Sequence, residues 1–259
     1  MQKSRGPALP TAVSIRGVSK RLGGNLVLDD ISLDLPRGQT TAVLGESGCG
    51  KTTLLHHVNG LLRPDQGVVE IFGAALDYER LPELRRRMGY AVQAVGLFPH
   101  LTMRGNLALV PRLDGWSDER VDARARQLMQ TLHLNADLLD RYPHQLSGGQ
   151  RQRFGICRAM MLQPDLLLFD EPFSGVDPIT RIRIHTELLA LLRAEPATTL
   201  LVTHDVREAI RLSTYLVVMA HGRIVQHGSV DDVLASPADD DVARLFSEQL
   251  RDPATGVTR

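Results

Sequence analysis

Gly45-Glu46-Ser47-Gly48-Cys49-Gly50-Lys51-Thr52-Thr53 fits the pattern G-x-x-x-x-G-K-[ST] and follows the apolar run Thr41-Ala42-Val43-Leu44. A strand that runs into such a loop and then into a helix is built to hold phosphate. Its glycines let the backbone turn with N–H groups pointing inward, so several donors and a helix N-terminus converge on one polyphosphate. Lys51 then reaches the β- and γ-phosphates, and the Thr52 hydroxyl takes a coordination position on Mg²⁺. The pattern defines a nucleotide phosphate site without saying which machine uses it.

A second set of residues supplies the chemistry. Leu166-Leu167-Leu168-Phe169 is a continuous apolar run with Asp170 and Glu171 at its end. A carboxylate ending a buried strand is unfavourable unless a cation pairs with it, and Mg²⁺ held jointly with Thr52 and ATP meets that need. A lone Asp in that position would be read as a cap or turn former. Two acids in succession allow Glu171 to act as general base on a water aimed at the γ-phosphate while Asp170 serves the metal. Leu146-Ser147-Gly148-Gly149-Gln150 forms another anion site at a helix N-terminus, this one without a lysine. Ser-Gly-Gly alone would be an ordinary helix start; the whole pentapeptide, twenty residues before Asp170, makes that reading weak.

The elements that must position these residues follow from periodicity. Val13-Ser14-Ile15 and Ile31-Ser32-Leu33-Asp34-Leu35 alternate with period two and predict half-buried strands that pair antiparallel. A turn cluster at 63–67 leads into a strand over 68–73, a basic helix covers 81–88, and a strand over 89–92 ends at Gln93. Residues 96–111 read as loop-like Gly, Pro and His, after which 117–134 is helical with Ser117 as N-cap. Helices are expected over 150–162, 178–193 and 206–212, a strand over 199–203 ending at His204, a hairpin over 215–226, and a polar helical end over 229–250. Strand and helix alternate, so the core is parallel α/β, with antiparallel strands before it and a mostly helical lobe inserted into it.

Composition limits the partners. With 43% hydrophobic content in 259 residues the chain buries a substantial core and is expected to be one folded unit. Thirty basic and thirty acidic residues cancel, leaving no global field to attract nucleic acid, and none is expected as a partner. The longest apolar runs, 166–169 and 215–220, fall far short of the roughly 18 residues of a membrane span. Cys49 and Cys157 form no metal-spaced pair, and a disulfide through Cys49 would disturb the phosphate loop, which fits a reducing cytoplasm.

Taken together these motifs resemble the ATPase subunit of an ATP-binding cassette (ABC) transporter over essentially the whole chain. Residues 45–53 resemble Walker A, 146–150 the family signature, 166–170 Walker B, Glu171 the catalytic glutamate, Gln93 the Q-loop, Ser174-Gly175-Val176-Asp177 the D-loop and His204 the switch histidine. The resemblance implies an α/β P-loop NTPase of the ABC ATPase fold: a mixed sheet with a RecA-like parallel core, an antiparallel β subdomain and an inserted α-helical subdomain. It implies a single nucleotide-binding domain over 1–259, with the core in 11–92 and 163–228, the helical subdomain in 96–162 and a short tail in 229–259. Gln93 is then expected to contact Mg²⁺ and water, His204 the γ-phosphate, and Leu22 the adenine. The implied assembly is a head-to-tail homodimer, or a pair of ATPase subunits, with ATP sandwiched between one copy's Walker A and the other's signature and with Asp177 beside it. The implied partners are transmembrane permease subunits, with a substrate-binding protein engaged indirectly, at the cytoplasmic face of the membrane.

Leu84-Arg85-Arg86-Arg87-Met88-Gly89-Tyr90-Ala91-Val92-Gln93, Gly96-Leu97-Phe98-Pro99-His100 and residues 108–116 are similar to ATPases of glycine betaine, choline and related osmoprotectant importers. A lipid-trafficking cassette shares residues 168–180 with this pattern, and a soluble ABC ATPase of translation or repair is a more distant alternative. Two departures from the family pattern stand out. The D-loop carries Gly175-Val176 where Ala-Leu is common, and Leu22 stands where an aromatic ring commonly stacks on adenine. Leucine offers apolar contact without π stacking. Leu22→Tyr should therefore tighten Mg-ATP binding in a titration, and unchanged affinity would refute the adenine assignment.

Overall fold

The period-two pattern at the N-terminus folds as a long antiparallel hairpin, β1 (Thr11–Leu22) and β2 (Asn25–Pro36), turned at Gly23 and Gly24. The computed structural model describes residues 10–92 and 96–250. β3 (Thr40–Leu44) enters the core and α1 (Lys51–Val58) leaves it; β4 (Gln66–Ile71), β5 (Ala74–Ala75), α2 (Leu81–Arg86) and β6 (Met88–Ala91) follow. Next come α3 (Met103–Leu113), α4 (Asp118–Thr131) and α5 (Gly148–Met160), and the chain returns through β7 (Leu166–Asp170), α6 (Pro178–Ala194) and β8 (Thr198–Thr203). It closes with α7 (Val206–Leu212), the hairpin β9 (Tyr215–Ala220) and β10 (Arg223–Ser229), α8 (Val230–Ala235) and α9 (Asp240–Leu250).

Two sheets result. One is antiparallel, in the order β2-β1-β4-β5; the other runs β10-β9-β3-β8-β7-β6, parallel except for its β10 edge. β7 and β8 are buried at every residue, as strands covered on both faces must be. One apolar cluster joins β1, β2 and β4 to one face of the parallel sheet and α1, while another packs the helices and α9 on the opposite face. Register then decides where chemistry is possible: Leu44 lies opposite Thr203, and Asp170 opposite Val202. The C-terminal ends of β3, β7 and β8 therefore lie together, so the residues after them share one edge.

One expected stretch is corrected. Residues 96–111 are not loop throughout, because α3 begins at Met103, with Thr102 as N-cap accepting from the Gly105 N–H at 3.2 Å. Met103 and Leu107, four residues apart, are buried on one face, and Pro111 is accommodated near the helix end. Apolar spacing outweighs the turn-forming composition.

Among the described residues one buried and one partly buried ion pair tie α5 and α4 to α6. Arg153 of α5, 8% exposed, pairs with Glu187 of α6, 4% exposed, and Arg124 of α4 pairs with Glu195 just beyond α6 while donating to Met160 O at 2.8 Å. Removing one partner of a buried pair leaves the other charge stranded, which costs about 3–5 kcal/mol. Arg153→Met should accordingly lower the Tm by that equivalent, and Arg153→Met combined with Glu187→Met should recover most of it.

Candidate functional site

The phosphate loop takes its shape from close backbone approaches. Gly50 has φ +108, and a Cβ there would lie 2.8 Å from Val27 O; a Cβ on Gly45 would lie 2.3 Å from Met219 O. Glycine is the residue that fits both. The loop is also stitched to the β9–β10 turn, since Gly222 N–H donates to Cys49 O at 3.1 Å and Asp29 N–H to Gly222 O at 2.9 Å. Cys49 is buried, and burial pushes its thiol above the usual range, so it acts as a small packing residue. Lys51 is 3% exposed, and its Nζ donates to Gly45 O and Glu46 O at 2.8 Å each, which holds the ammonium inside the curve of the loop.

Thr52 and Asp170 meet. The Thr52 hydroxyl donates to Asp170 Oδ1 at 2.8 Å, and burial raises the Asp170 carboxyl above its ordinary value. Tyr90 stands nearby, with His56 Nε2 3.2 Å from its hydroxyl; burial, reinforced by the Asp170 charge, pushes the phenol up to about 12. A desolvated carboxylate beside a hydroxyl is a hard oxygen pair that suits Mg²⁺. Among the described residues no group of three or more His, Cys, Asp or Glu forms a protein-only metal cage. A cation here would therefore take its remaining ligands from phosphate and water, as Mg²⁺ does. The donor set fits the metal.

Glu171 follows Asp170 in a left-handed backbone conformation, φ +45, with its N–H donating to Val202 O at 2.9 Å. Such a conformation is uncommon for a residue with a side chain and re-aims the chain at once. Its Oε2 lies 3.2 Å from His204 Nδ1, so the ends of β7 and β8 bring these two together as the register requires. Gln93 falls outside the described residues. Leu22 ends β1 at the hairpin turn and is 39% exposed. The neighbouring β2 reaches the phosphate loop at Gly50.

Ser147 and Gln150 cap α5 reciprocally: Ser147 Oγ accepts from Gln150 N–H at 3.2 Å, and Gln150 Oε1 accepts from Ser147 N–H at 2.9 Å. Asp177 caps α6, accepting from Thr180 N–H at 2.9 Å, and that bond holds its carboxyl below the usual range. Both motifs thus make helix caps, as the plainer reading of Ser147-Gly148-Gly149 allows. They also share a cavity of about 580 Å³, lined by Ser147, Gly148, Gly149, Gln150 and Asp177, whereas residues 45–49 of the phosphate loop line a different one of about 570 Å³. Within one chain the two stretches line separate cavities.

Sequence reasoning missed the polar support behind these residues. Arg181 Nη1 donates to Asp205 Oδ2 at 2.8 Å and its Nη2 to Val176 O at 3.1 Å, so one guanidinium joins the D-loop to the loop after His204. Glu208, 5% exposed, accepts from the Thr203 hydroxyl at 3.0 Å, while its Oε1 finds no partner among the described residues. Asp205 had a signal, as an acid opening a helix; Arg181 and Glu208 had none beyond lying on amphipathic helices.

The chain belongs to the ABC transporter family, whose pattern it matches over residues 28–174; it is an ATP-binding cassette with an ABC ATPase fold. It is 44% identical over 229 residues to the glycine betaine uptake system ATP-binding protein YehX of Escherichia coli strain K12, covering 88% of this chain and 74% of that one. It is 42% identical over 227 residues to the glycine betaine/carnitine/choline transport ATP-binding protein OpuCA of Bacillus subtilis strain 168, covering 88% of this chain but 60% of that relative's length. Among solved structures it resembles the cassette MJ0796 in a dimeric post-hydrolysis state bound to ADP and Pi, with TM-score 0.77 and 28% identity over 84% of this chain and 98% of that one.

Burial pushes the Glu208 carboxyl up to about 8 from an ordinary 4.5, so the folded state keeps a proton that the unfolded chain releases. Its contribution to stability is therefore lost as pH rises from about 4.5 to about 8. Glu208→Gln keeps an acceptor for Thr203 without the charge. Its Tm advantage over the parent should grow across that window in scans at successive pH values, and a constant difference would refute the shift.

Proposed function

We propose that this chain is the ATP-hydrolysing subunit of a membrane importer for osmoprotectants of the quaternary-amine class, acting as a pair on the cytoplasmic side of its permease subunits. The observation that carries the substrate class is the identity of 44% and 42% to relatives named for glycine betaine, carnitine and choline transport. Among the described residues no helix is long and apolar enough to cross a membrane, so the importer's path through the bilayer would be supplied by other subunits. A substrate-binding protein would deliver the solute to those subunits, and this chain would supply the energy.

In the proposed cycle, backbone donors of residues 45–53 and Lys51 would hold the phosphates of ATP, and Thr52 and Asp170, with Gln93, would hold Mg²⁺. Bound there, the ion would neutralise negative charge on the phosphates. Glu171 removes a proton from water as the water oxygen bonds to the γ-phosphorus and the bond to the β-phosphate oxygen breaks, leaving ADP and phosphate. His204, 3.2 Å from Glu171, contacts the γ-phosphate and keeps the carboxylate aimed. Ser147, Gly148, Gly149 and Gln150 of the second copy close the site from the other side, with Asp177 beside them. The separate cavities of the two motifs favour this arrangement over a site closed within one chain.

The test uses cells in which the gene for this chain is deleted. Uptake of labelled glycine betaine at high osmolarity should be lost, restored by the parent chain and not by Glu171→Gln. Purified Glu171→Gln should bind ATP and accumulate dimers while its turnover falls by about 10²–10⁴-fold, the range of a lost general base. Normal turnover would remove Glu171 from that role, and unchanged uptake in the deleted strain would remove the substrate class.

A further inference from the structure

Gln249 lies in the last turn of α9, 45 residues beyond His204. Its side-chain amide is engaged at both ends: Nε2 donates to His204 O at 3.1 Å, and Oε1 accepts from Val206 N–H at 2.8 Å. One planar carboxamide thus bridges the backbone on either side of Asp205. It satisfies a carbonyl just past the end of β8 and one of the N–H groups that the first turn of α7 leaves unpaired. Arg207 Nε adds a third link, donating to Gln249 O at 2.9 Å. From the opposite direction Asp205 is held by Arg181, which also holds Val176 O.

This clamp has a rigid base. Val242 and Phe246 of α9 are 3% and 5% exposed and belong to the same apolar cluster as Val206 and Ala209 of α7. The residue it clamps stands at an open edge: the His204 side chain is 59% exposed, with its Nδ1 3.2 Å from Glu171 Oε2. Its aim then depends on its backbone as well as on Glu171. α9 also lines the cavity beside the phosphate loop, where Arg244 and Glu248 share the lining with Glu46 and Ser47.

We infer that Gln249 is a positioning residue for ATP hydrolysis, and that α9 serves through it as a strap that fixes the backbone of the loop carrying His204. The inference rests on the reading of His204 as the group that contacts the γ-phosphate. Gln249 touches no reacting atom. It sets where His204 stands, so its loss should act on turnover and not on nucleotide affinity.

Gln249→Met preserves length and apolar stem but neither donates nor accepts a hydrogen bond. In the full chain it should lower kcat for ATP hydrolysis about tenfold, the scale of a small misplacement at a catalytic group, with KM for ATP and Tm unchanged. Hydrogen exchange at the Val206 amide should accelerate in the same variant. Gln249→Glu retains the acceptor for Val206 N–H but not the donor to His204 O, and should restore that protection with only part of the rate. Unchanged kcat in Gln249→Met would overturn the inference, as would a rate loss matched by a fall in Tm, which would mark a folding role. His204→Ala separates the two levels. If that variant is inactive while Gln249→Met is fully active, the strap alone is refuted; if His204→Ala keeps full kcat, the reading of His204 falls and the strap falls with it.

Discussion

Asp170 is 7% exposed at the end of a strand made of apolar side chains, and a carboxyl group there resists ionisation unless something positive or hydrogen-bonding answers it. The Thr52 hydroxyl is the partner the chain itself supplies, from 118 residues earlier. For the two to meet, β3 and β7 must run parallel on either side of β8 with their ends aligned, and parallel strands require crossover helices on both faces. The helices packed over the sheet, the half-buried Tyr90 at the end of β6 and the turn at Glu171 all follow from that requirement. A sheet arranged otherwise would strand the carboxylate.

A second constraint concerns rigidity. The helix that carries Ser147 to Gln150 is fixed to α6, which carries Asp177, by the Arg153–Glu187 pair inside the protein. A Cβ on Gly149 would approach Thr180 Cγ2 to 2.6 Å, so α5 and α6 also touch closely near their N-termini. Residues 147–150 and Asp177 are thus tied together through α5 and α6 and line one cavity. In the proposed pair of chains they would meet a nucleotide together, and α6 would relay their position to Asp205 through Arg181.

Much of this was legible in the sequence because it depends on local chemistry. The glycine spacing of 45–53, the apolar run into Asp170 and Glu171, and the Ser147 to Gln150 start of a helix are each short patterns whose residue types have few other uses. The period-two strands of the β1–β2 hairpin were equally plain. What escaped notice depends on distance along the chain. Gln249 meets His204 only because α9 folds back on α7, and nothing in a glutamine near the end of an amphipathic helix announces a backbone partner 45 residues away. α3 was hidden for a different reason: Gly105 and Pro111 mark turns in most settings, yet Gly105 N–H is the group that Thr102 caps and Pro111 sits near the helix end, where few hydrogen bonds are lost.

The contacts that hold the phosphate loop carry one more consequence. Cys49 O is bonded to Gly222 N–H, and a Cβ on Gly222 would lie 2.6 Å from Val27 O, so the loop, the β2 strand and the β9–β10 turn interlock where three backbones cross. The loop's curvature is therefore supported by backbone contacts the chain supplies itself. Little conformational entropy remains to be lost on binding, and in thermodynamic terms the cradle is preorganised. Its affinity should then be governed as much by a hairpin some 170 residues downstream as by the glycines that line it.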